Sequence, residues 1–166
     1  MATIDNLKEA FAGESQANRK YLAFAKKAEA DGYPQVAKLF RAAAEAETVH
    51  AHAHLRVMGA IKDTAANLQS AIEGEGFEFE QMYPGYLEEA EKEGNKAASI
   101  SIKNALEVEK VHHSLYKQAL QAVEVGKDMS VNTIFVCSVC GNTVQGEPPD
   151  KCPICSAPKK MFFEVK

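Results

Sequence analysis

Carboxylates sit on the helix stripes where this chain should be burying hydrophobic side chains. Over about the first 125 residues, apolar and small residues recur at spacings of three and four, the mark of helices with one buried face. A first helix is expected from about Thr3 to Ala30, with Ile4, Leu7, Phe11, Tyr21 and Ala28 on one stripe and Asp31-Gly32 as its stop. A second starts at Pro34, a favourable first-turn proline, and runs to about Met58 with Val36, Leu39, Phe40, Ala43, Val57 and Met58 inward. A third begins near Asn67 with Leu68, Ile72, Phe79, Met82 and Tyr86, and is expected to kink at Pro84. A fourth follows Gly94-Asn95, carries Ile102, Leu106, Tyr116, Ala119 and Val123, and closes at Gly126. Four such helices with short connections predict a four-helix bundle.

Every stripe passes through an acid. The first contains Glu14, flanked by Phe11 and Ala17; the second Glu47 and His50; the third Glu75 and Glu78; the fourth Glu109 and His112. The pairs are three residues apart, so both members share a face. A single glutamate in such a position is usually a solvated one. Five together, in step with leucines and tyrosines, cannot all stay ionised in a dry core, where each unpaired ion costs several kcal/mol. No lysine or arginine lies on these stripes near the glutamates, which leaves metal cations as the compensating charge. One Glu from each of two helices and Glu-x-x-His from each of the other two is the pattern of a di-iron or di-manganese carboxylate site. Carboxylate oxygens with one imidazole per metal suit iron or manganese better than zinc. His52 is turned about 200° from His50 and points away; His54 is expected at the rim and His113 on the surface. Tyr21 and Tyr83 are equally readable as core packing or as partners of the carboxylates.

The cysteines are distributed quite differently. All four lie in the last 30 residues, as Cys137-x-x-Cys140 and Cys152-x-x-Cys155, together with four of the six prolines. Formal charge is −5 up to residue 132 and +1 beyond it. The division predicts a helical domain over 1–131 and a small metal-knuckle domain over 132–166, with Thr133–Val136 and Met161–Val165 as partner strands. Spacing alone leaves zinc and iron open for the four thiolates. Gly141 and Pro153 favour tight turns that aim backbone N–H groups at sulfur, which tunes a one-electron iron centre. A redox centre next to a di-iron site has a purpose there, and this favours iron. No apolar run reaches the roughly 18 residues of a membrane span, and the N-terminus has no secretory pattern. A cytoplasmic protein without membrane or nucleic-acid partners is therefore expected, and the acidic balance speaks against a basic nucleic-acid binder.

The stretches Phe11–Gln16, Glu47-x-x-His50, Glu75-x-x-Glu78, Met82-Tyr83-Pro84, Glu109-x-x-His112 and the paired Cys-x-x-Cys knuckles together resemble the rubrerythrin family over essentially the whole chain. The resemblance implies a mainly α protein, a ferritin-like four-helix bundle followed by a rubredoxin-like Fe(Cys)4 domain. It implies a peroxidase that reduces hydrogen peroxide to water in oxidative-stress defence, with electrons arriving from a redox protein or reductase through the rubredoxin-like centre. It implies two irons held by Glu14, Glu47, His50, Glu75, Glu78, Glu109 and His112, and a third held by Cys137, Cys140, Cys152 and Cys155, with zinc possible in either place. In the family the site has one carboxylate more than most ferritin-like di-iron proteins; here that is Glu78. One iron is implied to exchange Glu78 for His50 between oxidation states, which makes this pair the catalytic residues. Ser156 stands where the resemblance expects a glycine.

Chain length adds a topological expectation. In a ferritin-like bundle the second and third helices run parallel, so their crossover travels roughly 26 Å along the bundle and 8–10 Å sideways. The eight links from Gly59 to Asn67 extend to at most about 29 Å. A domain-swapped homodimer, alone or as half of a tetramer, is the expected solution. The rival functions are a ferroxidase or iron-storage protein, which has no need of a thiolate relay, and a non-enzymatic protein with a zinc ribbon.

Overall fold

The computed structural model describes residues 2–166. The chain divides into two compact units, residues 1–62 and 63–166.

The first unit is a helical hairpin, α1 (Thr3–Ala30) and α2 (Pro34–Val57), with the boundaries that the sequence signals indicate. Gly32, at φ +83°, makes the left-handed turn that ends α1. The two helices pack on small residues. Ala37, Ala44 and Ala51, spaced by seven along α2, are buried with Ala25 and Ala28 of α1. Asn18 is buried in the same seam and donates to the Ala44 carbonyl at 2.7 Å and the Thr48 hydroxyl at 2.9 Å. The alanine seam, not the ligand-bearing stripe, is thus the core of the hairpin. Several of the large stripe residues are open: Ile4 is 44% exposed, Val36 45% and Val57 70%.

The second unit opens with α3 (Thr64–Phe77). Asp63 caps it, accepting from the Ala66 N–H at 2.8 Å, so the helix starts three residues ahead of Asn67. A π-helical turn, Glu78–Met82, leads into α4 (Tyr83–Lys92). Pro84 explains the interruption: it removes a donor and crowds the carbonyl four residues before it. The Tyr83 N–H reaches back to the Glu78 carbonyl, five residues away, in the wider turn. The disturbance expected at the proline therefore falls on the turn that begins with Glu78. Helix α5 (Lys96–Glu124) is capped by Asn95, which accepts from the Ala98 N–H at 3.1 Å, and packs against both α3 and α4.

A small sheet follows: β1 (Ile134–Cys137), β2 (Thr143–Gln145) and β3 (Phe162–Glu164), with β1 central and both neighbours antiparallel. Val136 pairs with Thr143 on one side and Phe163 on the other. The sequence reading places β1 and β3 and omits β2, a three-residue strand too short to show an alternating pattern. The core of this part is Cys137, Cys152 and Ala157, packed by Ile154, Met161 and Phe162.

Candidate metal centres

Helical phasing brings the site residues of each unit together. On the hairpin, Glu14, Glu47 and His50 offer ligand atoms that all lie within 4.8 Å of one another. His50 Nδ1 is 3.0 Å from Glu47 Oε2 and 4.0 Å from Glu14 Oε1. Glu14 is pushed above the ordinary carboxylate range by its hydrogen bond to Glu47, while Glu47 is pushed below it. Opposite shifts of this kind are what two adjacent, hydrogen-bonded acids impose on each other.

The second unit repeats the arrangement. Glu75, Glu109 and His112 form a set within the same 4.8 Å limit. His112 Nδ1 lies 2.8 Å from Glu109 Oε2 and 3.8 Å from Glu75 Oε1. Burial, and then hydrogen bonding and repulsion from Glu109, push Glu75 up to about 8. Glu78 lies outside that three-residue set but in its field: burial and the Glu109 charge raise its pKa, and His112 opposes them. Glu78 lies one turn beyond Glu75, where α3 passes into the π turn.

Each set offers two carboxylates and one imidazole, the donors that suit a hard or borderline divalent metal. The raised carboxyls give the same indication, since a cation would relieve the repulsion that protonation relieves without one. Tyr83 belongs to the same neighbourhood, its hydroxyl pKa raised by burial and then by Glu78, Glu109 and Glu75. Tyr116 is raised by burial and then by Glu75 and Glu109; the sequence reading gave it only a packing role. Tyr21 instead packs on Phe24 and Phe40, with ring centroids 6.4 and 6.2 Å apart. His113, expected at the surface, is partly buried edge-on against Phe79 at 5.3 Å. His52 is exposed and His54 half-buried, in line with their phase.

The four cysteines form a third set. Cys137 and Cys155 Sγ are 3.7 Å apart, Cys140 and Cys152 Sγ 3.6 Å. A tetrahedral ion with metal–sulfur bonds of about 2.3 Å requires sulfurs about 3.8 Å apart, so the cage fits one. The two knuckles match in backbone: Gly141 N–H donates to the Cys137 carbonyl at 2.8 Å, and Ser156 N–H to the Cys152 carbonyl at 2.9 Å. Burial alone would raise Cys152, but the backbone N–H groups of Cys155 and Ile154 and the Cys140 thiol bring it down to about 7. Burial pushes Cys140 up. Such N–H···S contacts are the protein's means of stabilising thiolates and setting the potential of a bound iron.

One contact joins the α5 set to the knuckle within this unit. His112 Nε2 is 2.9 Å from Thr143 Oγ1 on β2, and Thr143 Oγ1 is 3.2 Å from the Gly141 carbonyl. The sequence reading missed Thr143, because nothing in the spacing of the two motifs places β2 beside α5.

Comparison with known proteins agrees with this chemistry. Residues 5–120 match the model of the Rubrerythrin family, and residues 135–163 match that of the rubrerythrin rubredoxin-like domain. Rubrerythrin-2 of Clostridium acetobutylicum is 37% identical, across 96% of this chain and 95% of its own. Nigerythrin of Nitratidesulfovibrio vulgaris is also 37% identical, across 97% and 85%. A solved structure of fully reduced, all-ferrous nigerythrin covers 99% of this chain and 87% of its own at 34% identity, with a TM-score of 0.59. The fold class is thus mainly α, ferritin-like helices followed by a small rubredoxin-like domain, and the residues present offer candidate carboxylate–histidine ligand sets for a di-iron site and a four-cysteine rubredoxin-like site. This chain belongs to the rubrerythrin family.

Proposed function

We propose that this protein is a peroxidase that reduces hydrogen peroxide to two waters with electrons delivered through the Cys137/Cys140/Cys152/Cys155 centre. The observation that carries the reading is the coexistence, in one chain, of two carboxylate–imidazole sets and a tetrahedral thiolate cage. Bound irons supply the Lewis acidity and the two electrons. The protein's own residues supply the rest. Glu14, Glu47, Glu75 and Glu109 hold the metals, with His50 and His112 one turn beyond Glu47 and Glu109. Glu78 and His50 form the exchangeable pair, the carboxylate favouring the more positive oxidised state and the neutral imidazole the reduced one. The reaction also consumes two protons. Tyr83, kept protonated by burial and by the surrounding carboxylates, is a proton donor beside the site. The domains are a bundle segment over 1–131 and a knuckle over 132–166. Four thiolates without a disulfide call for a reducing compartment, which favours the cytoplasm. The electron donor is a redox protein or reductase.

The functional unit in this reading is a domain-swapped dimer, alone or within a tetramer. Each di-iron site takes α1–α2 from one chain and α3–α5 from its partner. Measured from the helix ends, His50 lies about 10 Å from the end of α2 and Glu75 about 16 Å from the start of α3. With the helices parallel and the ligands level, a crossover within one chain would span about 27 Å axially, plus 8–10 Å sideways. Seven links from Val57 to Thr64 extend to at most about 25 Å. Met58–Ala60 shorten this further, since Gly59 has φ +63° and the Ala60 N–H returns to the Leu55 carbonyl at 3.0 Å. The exposed Ile4, Val36 and Val57 on the ligand-bearing stripes are what a partner's helices would cover.

Two experiments test these readings. Anaerobically reduced protein is mixed in stopped flow with hydrogen peroxide or with dioxygen; peroxidase function predicts much faster oxidation by peroxide, and equal or reversed rates sink it. For the dimer, a chain carrying E47A and H50A is co-expressed with one carrying E109A and H112A. A swapped heterodimer contains one wholly intact site and one wholly disabled site, so half the di-iron content returns. Heterodimers without a di-iron site exclude the swap.

A further inference from the structure

We propose that Thr143 is the positioning residue that fixes the tautomer of His112 and ties it to the cysteine knuckle. The inference rests on the reading of His112 as a metal ligand. A His112 that binds metal through Nδ1 carries its proton on Nε2, and the Gly141 carbonyl, 3.2 Å from Thr143 Oγ1, can only accept, so the single hydroxyl proton of Thr143 goes to that carbonyl. The Thr143 oxygen is then left as an acceptor, and the imidazole nitrogen 2.9 Å away, Nε2, must carry the proton. A neutral imidazole protonated at Nε2 has its lone pair on Nδ1, the atom that lies 2.8 Å from Glu109 Oε2 and 3.8 Å from Glu75 Oε1. The direction of one hydroxyl thus aims the ligand lone pair into the carboxylate set.

Thr143 is well placed to hold that direction. It is half-buried on β2, paired with Val136 of β1, and its χ1 is restricted by β-branching. The carbonyl it donates to belongs to Gly141, next to the ligand Cys140. A Cβ at Gly141 would lie 3.8 Å from Val108 on α5, so helix and knuckle are in close contact there. From Cys140 the path runs through the Gly141 peptide and the Thr143 hydroxyl to the His112 ring, with only two hydrogen bonds outside covalent structure. His50 has no such partner among the described contacts: its Nδ1 meets Glu47 and Glu14, and no hydrogen bond to its Nε2 is seen.

The test uses full-length protein loaded with zinc(II), which is diamagnetic, in wild type and in the T143V, T143S and H112A variants. T143V keeps the shape of the side chain and removes the hydroxyl; T143S keeps the hydroxyl. Wild type and T143S are expected to show a slowly exchanging His112 Nε2–H proton by NMR. T143V is expected to lose that protection and to bind zinc at the carboxylate–histidine site about 10- to 100-fold more weakly, with the thiolate site unaffected. A T143V protein with wild-type affinity and a protected proton overturns the proposal, provided that H112A has lost affinity. Should H112A bind zinc as tightly as wild type, the ligand assignment and the proposal fall together.

Discussion

Ser156 holds a left-handed backbone, φ +61°, at the position where the other knuckle has Gly141 at +86°. A left-handed residue with a Cβ costs about 1–2 kcal/mol relative to glycine. S156G is therefore expected to stabilise the cysteine domain by about 1 kcal/mol, seen as later loss of the thiolate-to-iron visible band on heating. Glu75 makes a second case at this scale. Its carboxyl is pushed up to about 8 from an ordinary value of 4.5, so the fold binds this proton more tightly than the unfolded chain does. Its contribution to stability is complete below about pH 4.5 and is lost as pH rises through 8. Denaturant midpoints of metal-depleted protein are expected to fall over that window. Metal loading should flatten the dependence, because the cation replaces the proton. A midpoint of the metal-depleted protein that rises over the same window would contradict the crowding of carboxylates described here.

At the scale of elements, most boundaries have local causes and one does not. Sequence signals give α1, α2 and α5 nearly to the residue, because Gly32, Pro34, Asn95 and Gly126 are local stop and start signals with local causes. Pro84 also announces a break, but the break is a π turn that begins six residues earlier, at Glu78. P84A removes the steric reason for that turn. It is expected to leave thermal stability unchanged or higher and to lower the peroxide-reduction rate by up to about 100-fold, as Glu78 is displaced from its neighbours. Retention of wild-type kcat would show that the π turn is not needed for function. Strand β2 was illegible because three residues carry no period; its position is imposed by pairing with β1, and through it Thr143 reaches α5.

At the scale of the molecule, the distribution of apolar surface is what most distinguishes this chain from a self-sufficient bundle. The hairpin core is built from alanines, and several larger residues of the face that carries Glu14, Glu47 and His50 stay open. If a second chain completes both faces, folding and association are one equilibrium. The midpoint of thermal unfolding is then expected to rise with protein concentration, and dilution should release di-iron before it releases the iron of the cysteine cage, which needs no partner. A midpoint independent of concentration over two orders of magnitude would argue for a monomer.

The sequence by itself determined the candidate chemistry: which residues offer ligand atoms of which kind, and that they share helix faces. Residues three apart on a helix, and cysteines two apart in a turn, are placed by local geometry alone. Tertiary structure decided what local geometry cannot reach. It put alanines rather than the apolar stripes in the hairpin core, set His113 against Phe79, drew Tyr116 into the field of Glu75 and Glu109, and brought the Thr143 hydroxyl to His112. That last pair lies 31 residues apart in the chain. Only the packing of a sheet edge on a helix, which no spacing of motifs encodes, could join them.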